Sequence, residues 1–148
     1  MKILGLVCIL SLTCAVKIFG QSAENITSIS FTKQTRGFLD EVIISRDSVQ
    51  GFVENHRVPE NSQQYATGID GDDWSKLMLA LQNVSLQDID GLQSPTMNRA
   101  HDGGIHSSIV ITFEDGNSIT HSFDDENPHP DLQPLLDAIL QFRMSSAK

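Results

Sequence analysis

The side chains able to do chemistry in this 148-residue chain concentrate in His101-Asp102-Gly103-Gly104-Ile105-His106 and, further on, in Asp124, Asp125 and His129. Imidazole nitrogens and carboxylate oxygens are a ligand set for zinc or another divalent ion. His101, His106, Asp124 and His129 are the residues that would form such a centre if the chain gathered them at one end of a sheet. Their spacing matches no metal motif, and a loop rich in His, Asp and Gly is commonly a solvated turn whose side chains cap backbone groups. The expectation is therefore no resident metal and no cofactor. Ser107 and Ser108 lack a nucleophile elbow or a glycine-rich oxyanion motif. Asp102-Gly103-Gly104 does not follow a strand and open a helix, so no phosphate loop is present. Asp72, Asp73, Asp88 and Asp90 are accounted for by helix starts, and His121 falls on an inferred core face. No enzyme is expected.

Two strands and a helix must position that cluster. Ile109, Ile111 and Phe113 alternate with polar residues, as do Ile119, His121 and Phe123, the period-two pattern of half-buried strands. A two-residue Asp115-Gly116 turn would set Phe113 opposite Ser118 and split the apolar groups between the two faces. A type I turn at Glu114-Asp115, with Gly116 left-handed in a G1 bulge, sets Ile111 opposite Ile119 and Ile109 opposite His121 instead. The bulged register predicts one apolar face. Pro130 and Asp131 suit a helix start, and Leu132, Leu135, Leu136, Ile139, Leu140 and Arg143 follow at helical spacing, so a terminal helix is expected to cover that face.

Upstream, residues 26–33 alternate as a first strand, and residues 38–45, with Val42-Ile43-Ile44, read as a strand buried on both faces. Residues 49–54 return as a third strand. Residues 55–69 carry few apolar groups and are expected to form a surface loop. Asp70 caps a helix with Trp74, Leu77, Met78 and Leu81 on one stripe, the tryptophan filling space between helix and sheet. Residues 85–91 add a short helical piece ended by Gly91. The predicted class is α+β: two layers, with an antiparallel sheet of about five strands and helices packed on one face.

Met1-Lys2 and the apolar run to Val16 have the length of a secretory leader rather than a membrane span. Cleavage after Gly20 would leave residues 21–148 as one domain, secreted or periplasmic. Leu10-Ser11-Leu12-Thr13-Cys14 is a loose lipobox, making lipid at Cys14 the lesser alternative. Both cysteines, Cys8 and Cys14, lie in the leader, so roughly 125 residues must hold together without a disulfide. The net charge of -9 makes nucleic acid and anionic membranes poor partners. Asn25-Ile26-Thr27 and Asn83-Val84-Ser85 fit the glycosylation pattern, relevant only in a eukaryotic cell.

The order of strand, Gly37-Phe38, strand, helix with Trp74 and Leu77, Asp102-Gly103, the alternating strand from Ile109 to Phe113, a DG turn and Pro130-Asp131-Leu132 resembles the small emfourin-type inhibitors of thermolysin-like metalloproteases. The resemblance covers most of the chain and implies a small α+β fold and a peptidase partner. The chain departs from that family in carrying a leader and in lacking paired glycines at Thr35-Arg36-Gly37-Phe38, and no inhibitory residue is carried over. Two functions follow as expectations. The first is an exported protein-binding module, with a secreted peptidase as one partner, contacting it through residues 34–38 or 55–68. The second is a small metal- or ligand-binding domain using the His101/His106 end.

Overall fold

The hairpin of β5 (His106–Phe113) and β6 (Ser118–Asp124) fixes which side of the sheet is apolar. Ile109 pairs with His121 and Ile111 with Ile119. The Phe113 amide donates to the Asn117 carbonyl at 2.9 Å, the Gly116 amide to the Phe113 carbonyl at 3.0 Å, and Gly116 has φ 82°. This is the bulged turn that the apolar pattern requires. The computed structural model in which it is seen describes residues 22–146; the expected leader, with Cys8, Cys14 and Gly20, lies outside the described residues.

β1 (Ile26–Thr35) and β2 (Phe38–Ser45) carry the hairpin's register inward, and β3 (Ser48–Asn55) extends it. One cross-strand row runs Ile119, Ile111, Ile29, Ile44, Val49, and the next His121, Ile109, Phe31, Val42, Gly51. Apart from Gly51 every side chain in both rows belongs to the buried set, His121 included. Ile26 and Ile29 are three residues apart and would face opposite ways on a regular strand. The register shift between Ile26 and Ser28 against β5 turns both inward, the usual effect of a bulge, and Thr27 Oγ1 donates to the Thr112 carbonyl beside it. The other face is Ser- and Thr-rich, with Ile43 39% and Phe52 37% exposed. β2 is thus buried on one face, not on two as Val42-Ile43-Ile44 suggested.

The sheet has six strands, not five. Residues expected to form only a loop contain β4 (Gln63–Gly68), which pairs antiparallel with β3 at the margin of the sheet order β4-β3-β2-β1-β5-β6. Only Tyr65 of β4 is even half-buried, so an edge strand held by backbone pairing shows no apolar alternation to find. Tyr65 is directly opposite Gly51 and lies across it: a Cβ at Gly51 would fall 1.9 Å from the Tyr65 ring. The glycine leaves room for a ring that covers it.

α1 (Gly71–Ala80) starts where expected, the Asp70 carboxylate accepting from the Asp72 and Asp73 amides at 3.0 and 2.9 Å. α1 contacts α2 (Gln133–Ser146), and Trp74 is half-buried against the core. A 3-10 turn, Leu86–Gly91, puts Leu86 and Ile89 into the core and contacts β6. Ahead of α2 another 3-10 turn, Pro130–Leu132, begins at the expected proline. Leu132, Leu135, Leu136 and Ile139 are fully buried and α2 contacts β2, β3 and β4. Each such side chain contributes roughly 1.5–3 kcal/mol before ordering entropy is subtracted. The class is α+β, and among the described residues no helix is long and apolar enough to cross a membrane.

The Gly51/Tyr65 contact gives a testable coupling. Gly51→Ala should cost about 1–2 kcal/mol by urea unfolding, because the ring must move. In a Tyr65→Ala background the same change should cost nothing, since alanine is otherwise the better strand residue. Equal costs in both backgrounds would show that the ring does not rest on the glycine.

Candidate functional site

Three connections meet at the end of the sheet where β1 passes into β2. The β1–β2 turn has Gly37 at φ 78°, and the Gly37 carbonyl accepts the His56 amide at 2.9 Å from the β3–β4 connection. That connection is folded by its own side chains: Asn55 Oδ1 accepts the Arg57 and Val58 amides at 3.0 Å each. From the third, Gly103 lends its carbonyl to Thr35 Oγ1 at 3.3 Å, and Asp102 Oδ1 takes a hydrogen bond from Arg36 Nη2 at 3.1 Å. An open cleft of about 360 Å³ lies between the turn and this loop, lined by Gln34, Thr35, Arg36, residues 101–104 and His106. The loop's shape depends on Gly104, where a Cβ would stand 2.5 Å from the Asn98 carbonyl oxygen.

The four metal-ligand candidates fare differently. His101 and His106 line the cleft and are exposed. Asp124 pairs with His106 across the strands, yet its buried carboxylate is occupied. It accepts from Thr96 Oγ1, the Asn98 amide at 2.6 Å, the Arg99 amide at 3.0 Å and Arg99 Nη1 at 2.8 Å. Burial alone would raise this carboxyl. The hydrogen bonds from Thr96 and Arg99 and from the two amides outweigh it and hold the group well below the usual carboxylate range. Asp124 therefore anchors the loop that carries His101. His129 does the work of a cap, its Nδ1 accepting the Asp131 amide at 3.3 Å at the start of the Pro130–Leu132 turn. Among the described residues no three His, Cys, Asp or Glu side chains come together as a metal site.

His121 sits where expected, in the core, its ring stacked on Phe123 at 5.4 Å and its Nε2 accepting the His129 amide at 3.1 Å. Burial pushes the imidazole below the ordinary histidine value; His129 and Arg99 push the same way, and a hydrogen bond with the Leu92 backbone opposes them. A neutral ring is what an accepting Nε2 requires.

A group that the spacing analysis did not single out closes the same end on the core side. Lys33 Nζ meets Asp125 at 2.6 Å and Glu126 at 3.1 Å, and Arg143 Nη1 meets Asp40 at 2.7 Å. Burial lowers the Lys33 ammonium, but the hydrogen bonds to Asp125 and Glu126 carry it above its ordinary value. Burial raises the Asp40 carboxyl against the pull of Arg143 and Lys33. The signal was in the alternation: Lys33 follows Phe31 by two and Asp40 precedes Val42 by two, so both stand in phase with the core. Ionic groups in core phase imply partners, and Arg143, two turns along α2 from Leu136, supplies one.

Compared with known proteins, the chain matches no family model, no curated protein and no solved structure.

The His121 environment sets a pH dependence. A buried imidazole with a lowered pKa is neutral in the fold, while the unfolded chain takes up a proton below about 6.5. Its contribution is complete above that pH and declines as the pH falls. Urea unfolding should show lower stability at pH 5.5 than at pH 7.5, and His121→Phe should flatten that difference. A slope unchanged in the variant would assign the effect to another group.

Proposed function

We propose that this chain is an exported, non-enzymatic protein that binds a second protein through the loops gathered at the cleft end of the sheet, with a secreted metallopeptidase as the partner its resemblance implies. The supporting observation is the convergence of the β1–β2 turn and residues 101–104. Thr35 Oγ1 donates to the Gly103 carbonyl between them, the turn is further held by the His56 amide on the Gly37 carbonyl, and the loop by the His101 amide on the Asn98 carbonyl, while the Arg36 and Asp102 side chains are 79% and 84% exposed. An ion pair that exposed contributes little to stability. Two charged groups presented from fixed backbone are suited to recognition, because little ordering entropy is lost on binding. The non-enzymatic reading is supported by the use made of four titratable groups at this end of the sheet: Asp124, His121, Asp40 and Lys33 are each engaged in contacts that hold the fold. The export reading rests on the apolar leader, and the exclusion of nucleic acid on the net charge of -9.

The finer architecture fits this reading. Helices laid over one face of the sheet leave the loops and the Ser- and Thr-rich face for contact; the burial of Leu132, Leu135, Leu136 and Ile139 supports that two-layer packing. The cleft itself supports a second reading, a small-ligand or metal site at His101 and His106.

Titrating the purified mature protein into thermolysin-like metallopeptidases separates the two. The expected result is slowed peptide hydrolysis, weakened about tenfold or more by Arg36→Ala, the loss of one interfacial arginine anchor. No slowing at excess, together with stoichiometric zinc after purification without a His tag and a melting temperature raised by added metal, would favour the second reading.

A further inference from the structure

The loop of residues 96–104 meets the outer face of the sheet and is pinned there by the Asp124 carboxylate, which accepts the Asn98 and Arg99 amides. Two hollows lie along it. One is the cleft at the β1–β2 turn, and the other, of about 290 Å³, is lined by Thr32, Arg99, Ser108 and Ser122 among others. Gln34 and His106 line both and stand opposite each other on β1 and β5, so the hollows adjoin across this pair as one trough. Each is near the lower end of the roughly 300–1,000 Å³ common for small-ligand sites.

The lining inverts the charge of the chain. Acids outnumber bases 19 to 10 in the sequence, yet Arg36, Arg99, His101 and His106 line the trough against one carboxylate, Asp102. Both arginines already hold a carboxylate. Arg99 Nη1 meets Asp124 at 2.8 Å, the two side chains being 20% and 5% exposed, and Thr96 and two amides share that carboxylate. That pair belongs to the fold. Arg36 meets Asp102 at 3.1 Å with both side chains in solvent. A pair so exposed contributes little, and a guanidinium takes a carboxylate from outside in the same geometry. Further along, the side chains of Gln34, His106, Ser108 and Ser122 have no polar partner among the described residues. All four stand on the outer face, in the opposite phase to Phe31, Ile109 and Phe123. No Leu, Ile, Val, Met, Phe, Tyr or Trp lines either hollow, so the trough suits a polar molecule and not an apolar one.

We propose that, in the small-ligand reading of the cleft on which this depends, the trough binds a hydroxylated carboxylate of the uronic acid class. Its carboxylate takes the place of Asp102 on Arg36, and its hydroxyl groups lie along Gln34, His106, Ser108 and Ser122.

Heteronuclear NMR of the mature protein, titrated separately with glucuronate, glucose and acetate at constant ionic strength, tests this. Glucuronate should give saturable shifts at Gln34, Arg36 and His106, with glucose and acetate each binding about tenfold or more weakly, since each supplies only part of the contacts. Asp102→Asn, which releases Arg36, should tighten glucuronate about threefold or more, and Arg36→Ala should weaken it about tenfold. Ser108→Val with Ser122→Val, both on the outer face of strands that valine suits, should weaken glucuronate and leave acetate unchanged. Absence of saturable shifts overturns the proposal. So does acetate or glucose binding as tightly as glucuronate, or an Asp102→Asn protein that binds no better. Zinc-induced shifts at His101 and His106 without a response to glucuronate would overturn the carboxylate and leave the metal reading standing. The two valine substitutions keep Arg36 and Asp102, so the contact with a peptidase is measurable in the same protein whether or not glucuronate binds.

Discussion

Everything in this fold depends on Ile111 standing opposite Ile119. Side chains on a strand alternate faces, so a slip of one residue at the β5–β6 turn would carry Ile109, Ile111 and Phe113 to one side and Ile119, His121 and Phe123 to the other. Gly116, held left-handed at φ 82°, absorbs the extra residue that prevents this. Once the hairpin is in register, β5 transmits it to β1, and β1 to β2 and β3, until two rows of apolar side chains cross the sheet. Leu132, Leu135, Leu136 and Ile139 are buried without a disulfide among the described residues to help them.

The polar groups in core phase show what the ends of that sheet cost and how the chain offsets it. Lys33 and Asp40 cannot point inward unpaired, and Asp125, Glu126 and Arg143 meet them. Asp124, turned the other way, is saturated by Thr96, Asn98 and Arg99. That saturation converts a residue resembling a metal ligand into the anchor of the loop behind the cleft. The result is a division of labour along one short segment: Phe123 packs, Asp124 anchors, Asp125 pairs. The charged and imidazole side chains exposed around the cleft are Arg36, His101, Asp102 and His106, presented by backbone that other groups have already fixed.

The hairpin, the Asp70 cap, the terminal helix and the inward His121 were legible because each leaves a local mark: a two-residue period, a capping carboxylate, a helical stripe. β4 left none. An edge strand buries one side chain, and its pairing is written in backbone hydrogen bonds that composition does not record. Ile43 is exposed inside the run Val42-Ile43-Ile44, and three adjacent β-branched residues look the same on a strand buried once or twice. Of the cleft end, His101 and His106 were found together, but the part played by Arg36 through Asp102, and by Gly37 through His56, requires residues separated by long stretches of chain. Such contacts are set by topology, and no short-range spacing carries them.

The register is most directly tested by methyl-resolved NMR of the folded protein, reading nuclear Overhauser contacts from the Ile111 side chain. The structure predicts cross-peaks from Ile111 to both Ile119 and Ile29, its partners on either side. Contacts instead to Thr120, with Ile119 remote, would place the apolar groups on both faces of the sheet and contradict the fold from its first hairpin outward.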